Sequence, residues 1–457
     1  MKRKPNGAGQ RGGPGAATGQ LGQAGSIYAM ADSFPRQNAR TRAFTLGAPR
    51  SFRISPDGAT VLFLRSGSGS DPVNSLWALD VVSGTERLIA DPASLAVSGK
   101  DDALERARRE RVRETAQGIV GFATDERCTV AAFVLAGQVY LASLTGQGQP
   151  ARALGAAAPA ADPRPDPAGR QVAYVSAGAL HVIDVQTGAD TVLAAPPDDS
   201  GQVSYGLAEF IAAEEMGRER GYWWAPDGSA ILAARVDETR VQRWHIADPS
   251  SPVTPAAELR YPSAGTPNAE VTAVIARPGC ELTPVTWDTG AFPYLVTACW
   301  DGTAQEPRPP LLVVQSRDQR QLRLLAVDPA SGQCRVLRAD TDPAWTDIVP
   351  GVPAWTASGQ IAWTIDAQDT RRLLVGTPEQ HAAGAAEPVT PPGLQVREVL
   401  DVDGATVLFR GSQRDPASIG LWLAGPEGLT VLRDEPGLHN ARRAGGTTVI
   451  SSRSLDA

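Results

Sequence analysis

The sequence predicts an all-β fold, a β-propeller of seven to eight four-stranded blades in which the eighth is incomplete. The composition points this way: the 457 residues include 46 Gly and 37 Pro but only 6% aromatic residues. Such a chain is typical of many short strands joined by turns rather than of long helices. The second observation is a degenerate repeat of about 40 to 60 residues, which indicates small sheets that pack radially because none can bury both faces alone.

Each repeat consists of a turn, an apolar strand, a loop, a second apolar strand and an Asp-x-x-x-Gly turn. Its copies lie at 55–64 with 76–84, 166–174 with 180–188, 226–234, 324–332, 357–363, and 403–409 with 421–423. The alternative all-β fold, two stacked sandwiches, would not need the recurring turn. The turns give about seven units, and 446–451 reads as one strand of a further unit. An incomplete blade leaves unpaired strand edges, so a homo-oligomer is one expected consequence.

Composition also sets the domain organisation and excludes several classes of partner. Residues 1–35 are low in large apolar side chains and are expected to be a disordered tail, and 36–457 the propeller. A net charge of −7 gives no sign of a nucleic-acid or anionic-membrane partner. No run of about 18 apolar residues predicts a membrane span. The basic start Met1-Lys-Arg-Lys4 lacks the apolar core of a signal peptide, so a cytoplasmic protein is expected.

The metal-ligating residue types are scattered. The four cysteines show no CxxC spacing and read as small buried residues in a reducing compartment. The four histidines are too far apart in sequence to indicate a metal cluster. No cofactor and no metal site are therefore expected.

One stretch, 207–228, differs from the repeat. Leu207, Phe210 and Ile211 fall near a helical spacing, which predicts a short helical insertion around 203–221. Glu214 and Glu215 are adjacent on it, and their mutual repulsion would be relieved by a bound cation. A primary ammonium group fits, because it offers three donors to oxygens that only accept. From the residues alone, a solvated acidic surface is the commoner explanation of such a pair.

Four segments in order, 208–216, 221–228, 235–238 and 260–268, resemble the N-terminal propeller of the dipeptidyl-peptidase IV branch of the prolyl oligopeptidase family of serine peptidases. The resemblance implies that Glu214 and Glu215 hold the free N-terminus of a peptide, so that dipeptides are released. It also implies a preference for proline or alanine at the second substrate position. The implied function is that of a non-catalytic, substrate-gating propeller.

A second helical pattern covers 101–114 and has few apolar residues, so a solvated, salt-bridged helix is the simplest expectation. The resemblance implies that an arginine of this region binds a substrate carbonyl, with Arg111 and Arg113 as equal candidates. An arginine suits this task because its planar fork donates several hydrogen bonds. Tyr222, Trp223 and Trp224 are expected to be core residues of a strand rather than substrate contacts.

The catalytic residues of a serine peptidase are not found in the sequence. No serine lies in G-x-S-x-G, the closest being Ser204, where the first glycine comes one residue too early. We therefore expect no catalytic residues, no hydrolase domain and no activity of the chain alone. The expected partners are a peptide with a free N-terminus and a separate hydrolase chain. The alternative function is a stand-alone propeller that binds proteins or peptides as a scaffold.

Overall fold

The computed structural model describes residues 32–95, 117–146, 150–198, 200–251 and 253–454. The chain divides into two compact units, Met1–Phe44 and Thr45–Ala457. The described part of the first unit contains helix α1 (Phe34–Arg40). The predicted disordered tail, 1–35, lies almost entirely outside the described residues and stays a prediction.

The second unit is a β-propeller, as the sequence predicts, and each blade is built from strands consecutive in sequence. Blades 1 to 3 contain β1 (Arg50–Ile54), β2 (Thr60–Ser66), β3 (Val73–Asp80) and β4 (Glu86–Ala90); β6 (Ala123–Thr124), β7 (Val130–Leu135), β8 (Gln138–Ser143) and β9 (Arg152–Ala153); and β10 (Ala160–Pro165), β11 (Gln171–Ser176), β12 (Ala179–Asp184) and β13 (Asp190–Ala194). Short strand β5 (Gln117–Gly118) pairs in parallel with β3, and a 3-10 turn spans Pro92–Ser94.

Blades 4 and 5 follow the same plan, with additions in blade 4. They contain β14 (Val203–Tyr205), β15 (Tyr222–Trp224), β16 (Ile231–Asp237), β19 (Glu270–Ala276) and β20 (Thr283–Val285); and β21 (Tyr294–Cys299), β22 (Leu311–Gln315), β23 (Gln321–Val327) and β24 (Cys334–Thr341). Helix α2 (Phe210–Glu215) lies between β14 and β15. A separate hairpin, β17 (Arg243–Ile246) and β18 (Ala257–Arg260), lies between β16 and β19.

Blades 6 and 7 precede a final hairpin. They contain β25 (Ala354–Trp355), β26 (Ile361–Ala367) and β27 (Thr370–Gly376); and β28 (Gln395–Asp403), β29 (Thr406–Ser412), β30 (Gly420–Gly425) and β31 (Gly428–Arg433). Blade 6 has three strands instead of the expected four, and an isolated bridge from Leu374 to Pro388 takes the fourth position. Helix α3 (Pro378–Ala382) lies beyond β27. The eighth unit is the hairpin β32 (Leu438–Ala444) and β33 (Thr447–Arg453), which confirms the incomplete eighth blade.

The core is divided among the spaces between neighbouring blades. Seven clusters of buried apolar side chains fill these spaces. Four of them join blades 1 and 2, 2 and 3, 3 and 4, and 4 and 5, and a fifth spans blades 5, 6 and 7. The last two join blade 7 to the final hairpin and that hairpin to blade 1. Central strands are therefore covered on both faces, and β22 is buried at all five positions. This is the radial packing expected of sheets that cannot bury both faces alone.

The final hairpin contacts the first blade, so the ring is continuous even though its last blade is short. Val449 packs against the cluster that contains Ile54 and Phe63. Thr447 Oγ1 also donates a hydrogen bond of 2.8 Å to the Gly58 carbonyl. The outer edge of β33 pairs with no strand among the described residues. The unpaired edge predicted from the sequence is therefore confined to the outside of this hairpin.

The recurring turns have a physical cause in their aspartates. Asp166 Oδ1 accepts hydrogen bonds from the backbone N–H groups of Arg170 (2.6 Å) and Gln171 (2.8 Å). Asp125 does the same for Thr129 (2.7 Å) and Val130 (2.8 Å) in the preceding blade. The carboxylate satisfies N–H groups that the turn leaves unpaired at the entry into the second strand of these two blades, and the hydroxyls of Ser55 and Ser316 accept a backbone N–H at the same place in blades 1 and 5.

His381, on α3, is a buried titratable group in blade 6. Its Nε2–H donates to the Ile361 carbonyl at 3.0 Å, and its Nδ1 is buried without a hydrogen-bond partner. Burial lowers the pKa of His381, with Arg338 adding to the effect while the Ile361 carbonyl and Asp340 oppose it. The ring is therefore neutral in the folded protein at neutral pH.

We expect the free energy of unfolding to fall more between pH 7 and pH 5 in the unmodified protein than in the His381→Gln variant. Below a pH of about 6.5 the unfolded chain binds a proton at this residue that the folded protein does not, so acidification favours unfolding. Urea unfolding of both proteins at the two pH values measures this. The same pH dependence in both would contradict a neutral His381.

Candidate functional site

The predicted helical insertion interrupts the inner strand of blade 4. Strands β14 and β15 pair with the same partner, β16, on either side of the insertion. Ala234 of β16 accepts a hydrogen bond from Gly206 N (2.9 Å) and donates one to Gly221 O (2.8 Å). A Cβ on Gly221 would lie 2.4 Å from the backbone carbon of Gly206, so the base of the insertion has no room for a side chain.

A buried ion pair fixes the insertion above this base. Glu209 is the N-cap of α2, where its carboxylate accepts a hydrogen bond from Ala212 N at 2.8 Å. Its other oxygen lies 3.6 Å from Arg218 Nη2, and the two side chains are 5% and 1% exposed. Arg218 Nε donates to the Leu295 carbonyl of blade 5 at 3.1 Å, and Nη1 donates to the Arg220 carbonyl at 3.1 Å. Burial lowers the pKa of Arg218, and the charge of Glu209 opposes this effect.

Glu214 and Glu215 are the last two residues of α2, and both are exposed. Only Ala212 of this helix is buried, so the middle of the helix packs against the protein and its C-terminal end is exposed to solvent. The backbone carbonyls at a helix C-terminus also carry partial negative charge, which adds to the attraction of this end for a cation. The structure thus places both predicted glutamates at the exposed end of an anchored helix.

The three aromatic residues after the insertion are buried, as expected for strand residues. The Tyr222 hydroxyl donates to the Asp162 carbonyl and lies 2.9 Å from the Ala173 carbonyl, both in blade 3. Trp224 Nε1 donates to the Arg164 carbonyl at 3.1 Å. Trp223 and Trp224 nevertheless also line a cavity, which the sequence did not predict. Arg111 and Arg113, the two candidates for binding a substrate carbonyl, lie outside the described residues.

The largest cavity described has a volume of about 670 Å³ and is lined by the inner strands and adjoining loops of blades 1 to 5. Its charged lining residues are Arg53, Glu126, Arg164, Arg220 and Asp301. Desolvation by the surrounding protein raises the pKa of Asp301, although its side chain remains open to the cavity. Glu214 and Glu215 do not line this cavity. The insertion and the cavity are therefore two separate features that share Arg220.

A smaller cavity of about 180 Å³ lies between blades 5 and 6. Its carboxylates already have partners: Asp340 pairs with Arg338 (2.8 Å), and Arg371 pairs with Asp347 (2.5 Å) and Asp366 (3.0 Å). The fourth carboxylate of the wall, Asp342, accepts hydrogen bonds from the backbone N–H groups of Ala344 (2.7 Å) and Trp345 (3.1 Å), so all four carboxylates have partners within the protein.

The described residues contain one Ser–His hydrogen bond, between Ser452 Oγ and His439 Nδ1 at 2.8 Å. The other ring nitrogen bonds the Glu435 carbonyl, not a carboxylate, and neither residue lines a described cavity. Within the described ranges, no cluster of His, Cys, Asp and Glu could hold a metal ion. None of the helices described there is long and apolar enough to cross a membrane.

Comparisons with known proteins agree with this architecture. The model of a family described as the dipeptidyl peptidase IV (DPP IV) N-terminal region matches residues 135–431. Dipeptidyl peptidase 8 of Mus musculus and of Homo sapiens are each 36% identical over 78 residues, which is 15% of this chain and 9% of each relative. The crystal structure of Porphyromonas gingivalis dipeptidyl peptidase 4 superposes with a TM-score of 0.68 at 16% identity, covering 88% of this chain and 56% of that one. The chain thus spans little more than half of that solved chain.

Proposed function

Because this chain belongs to the family of dipeptidyl peptidase IV N-terminal regions, we propose that it is the non-catalytic, substrate-gating propeller of a serine dipeptidyl peptidase. The observation that carries the proposal is the pair of exposed carboxylates, Glu214 and Glu215, at the end of a helix fixed by the buried Glu209–Arg218 pair. These carboxylates bind the free amino terminus of a peptide.

The proposed mechanism is positioning. The ammonium group donates charge-assisted hydrogen bonds to both glutamates, which fixes how far the peptide reaches from the propeller. A helix that could tilt would hold the amino terminus at a variable distance. Here the hydrogen bonds from Arg218 to Leu295 O and Arg220 O attach the helix to blade 5 and to the base of the insertion. A fixed distance from the amino terminus selects which peptide bond is presented to a hydrolase, here a separate chain. The four cysteines are free thiols, which supports a reducing, cytoplasmic location.

We expect alanyl-proline amide to bind the unmodified chain and to bind the Glu214→Gln, Glu215→Gln double variant at least about tenfold more weakly. Each substitution replaces a charged acceptor of the ammonium by a neutral amide, and hydrogen bonds to charged groups contribute about 1.5–3 kcal/mol. The amide is the right probe because it has a free amino terminus and no carboxylate. Isothermal titration calorimetry measures the affinity.

The matched control is Glu258→Gln, which removes an exposed carboxylate of the β17–β18 hairpin that pairs with Arg243. The Glu258→Gln substitution should leave binding of the amide unchanged. N-acetylation of the peptide should abolish binding to the unmodified chain. If the double variant and the unmodified chain bound alanyl-proline amide with equal affinity, the glutamate pair would not be the binding site of the amino terminus.

A stand-alone peptide-binding scaffold is the second candidate, and the contact between the final hairpin and blade 1 favours it. That contact gives the chain a continuous ring of packed blades without another chain. The two functions differ in what accompanies the purified protein. If the protein gates a peptidase, its assembly with a hydrolase chain should release dipeptides, and the Glu214→Gln substitution should reduce that release. Binding of the amide without any associated peptidase activity would favour the scaffold.

A further inference from the structure

The large cavity of about 670 Å³ gathers arginines from three different blades. Arg53 comes from β1, Arg164 from β10, and Arg220 from the residues just before β15. The pairing register of β1 shifts between Arg50 and Arg53, and that of β10 shifts between Ala161 and Arg164. Such bulges bend a strand and redirect its side chains.

Each bulge contains a residue in the left-handed region, Ser51 with φ 55° and Asp162 with φ 48°. This conformation is costly for residues other than glycine and is concentrated at functional sites. In both strands the arginine that lines the cavity follows two residues later. The same local distortion therefore precedes an arginine in two separate blades.

The guanidinium groups of Arg164 and Arg220 are held in fixed orientations. Asp162 accepts from Arg164 Nε at 3.1 Å and lies 2.8 Å from its Nη2. The Tyr222 carbonyl accepts from Arg220 Nε at 3.1 Å and Nη2 at 2.8 Å, and the Arg220 guanidinium lies 5.3 Å from the ring centroid of Trp223. In each arginine Nη1 has no hydrogen-bond partner among the described residues. Both therefore keep donors for a ligand.

The two guanidinium groups are close enough to repel each other. Burial and, secondly, the positive charge of Arg164 together lower the pKa of Arg220 to about 10, while the negative charge of Asp162 opposes the effect. A bound anion between them would stabilise both charges. A carboxylate suits a guanidinium best, because its two oxygens match the planar fork.

The rest of the lining limits which anion fits. Glu126 and Asp301 line the same cavity, and their negative charges disfavour a multivalent anion such as phosphate. Phe52, Trp223 and Trp300 supply aromatic walls for an apolar body. The volume lies within the range of about 300–1,000 Å³ that is typical of small-ligand sites.

We propose that Arg164 and Arg220 form a carboxylate-binding site in the large cavity and that this site binds the C-terminal carboxylate of a short peptide. The site is distinct from the proposed amino-terminal site, and it reads the opposite end of a peptide. It does not depend on the role of Glu214 and Glu215.

N-acetyl-alanyl-proline tests the site, because this peptide has a carboxylate and no free amine. Titration of the unmodified chain, followed by calorimetry and by tryptophan fluorescence, is expected to show binding. The Arg164→Gln and Arg220→Gln variants should each bind at least about tenfold more weakly, since each loses a charge-assisted pair. Arg243→Gln, on the exposed β17–β18 hairpin, is the matched control and should bind as the unmodified chain does.

The glutamate variants separate the two proposals. The Glu214→Gln, Glu215→Gln double variant should bind N-acetyl-alanyl-proline normally, while Arg164→Gln, which lies outside the insertion, should leave binding of alanyl-proline amide unchanged. If circular dichroism shows that Arg220→Gln does not fold, Arg220→Lys keeps the charge but loses the fork, and a weaker affinity is again expected. Unchanged affinity in the arginine variants, equal binding of N-acetyl-alanyl-proline amide, or tighter binding of inorganic phosphate would overturn the proposal.

Discussion

Replacement of Arg218 by methionine is expected to lower the free energy of unfolding by about 3–5 kcal/mol, because it leaves the carboxylate of Glu209 buried without a counter-charge. The two side chains are 1% and 5% exposed, so water cannot replace the lost partner. The variant also loses the bonds from Arg218 to Leu295 O and Arg220 O, which leaves both carbonyls without these donors. Urea unfolding followed by circular dichroism measures the change.

Two further variants isolate the cause. The double variant Glu209→Gln, Arg218→Met should recover part of the lost stability, since a neutral amide is less costly to bury than a carboxylate. Arg243→Met breaks an ion pair whose side chains are 49% and 43% exposed, and it should change stability by at most about 1 kcal/mol. A loss for Arg218→Met no larger than that of Arg243→Met would show that the pair does not stabilise the insertion.

Replacement of Gly445 by alanine is expected to lower the free energy of unfolding by about 3 kcal/mol or more, through strain and overpacking together. A Cβ on this residue would lie 2.3 Å from Gly58 N, 2.4 Å from the backbone carbon of Asp57 and 2.5 Å from Pro56 O. The φ of Gly445 is also 55°, in the left-handed region. The final hairpin would therefore have to move away from blade 1.

The neighbouring glycine provides a matched control. Gly446 has a φ of 80°, but a Cβ there would meet nothing within 4 Å. Gly446→Ala should therefore show only the conformational penalty of about 1–2 kcal/mol. Limited proteolysis should cut the final hairpin of the Gly445→Ala variant faster than that of the Gly446→Ala variant. Equal stability and equal cleavage would mean that the hairpin does not close the ring.

The fold was predictable from the sequence because its signals are local. Asp125 and Asp166 bond backbone groups four or five residues away, where blades 2 and 3 begin their second strands, so each turn is specified by residues close together in the sequence. The count of units followed directly, including the short eighth. The fourth position of blade 6 could not be predicted, because only an isolated bridge marks it.

The candidate site was predictable only in part. The spacing of Leu207, Phe210 and Ile211 indicated a helix, and Glu214 and Glu215 do lie on it. The ion pair that anchors this helix was missed, since the sequence does not show that Glu209 and Arg218 are buried. Their spacing of nine residues, with opposite charges flanking the helix, is a signal that could have been used.

The arginines of the large cavity could not have been identified from the spacing of residues in the sequence. Arg164 and Arg220 are brought together by the packing of blade 3 on blade 4, which no periodicity encodes. The bulges that precede Arg53 and Arg164 depend on left-handed backbone angles at Ser51 and Asp162, which the sequence pattern does not reveal. Arg111 and Arg113 lie outside the described residues, and their role stays a prediction.

The insertion leaves and re-enters the inner strand of blade 4 at a single position of the ladder. Gly206 N–H donates to the carbonyl of Ala234 and the Gly221 carbonyl accepts from the N–H of the same residue, so the inner strand resumes its pairing with β16 directly after the insertion. The helix that carries the paired carboxylates can therefore be lengthened, shortened or exchanged between proteins without a change in the register of the sheet. The strand pairing of blade 4 is thus independent of the segment between the two glycines, whereas the stability of that segment depends on its own buried pair, Glu209 and Arg218.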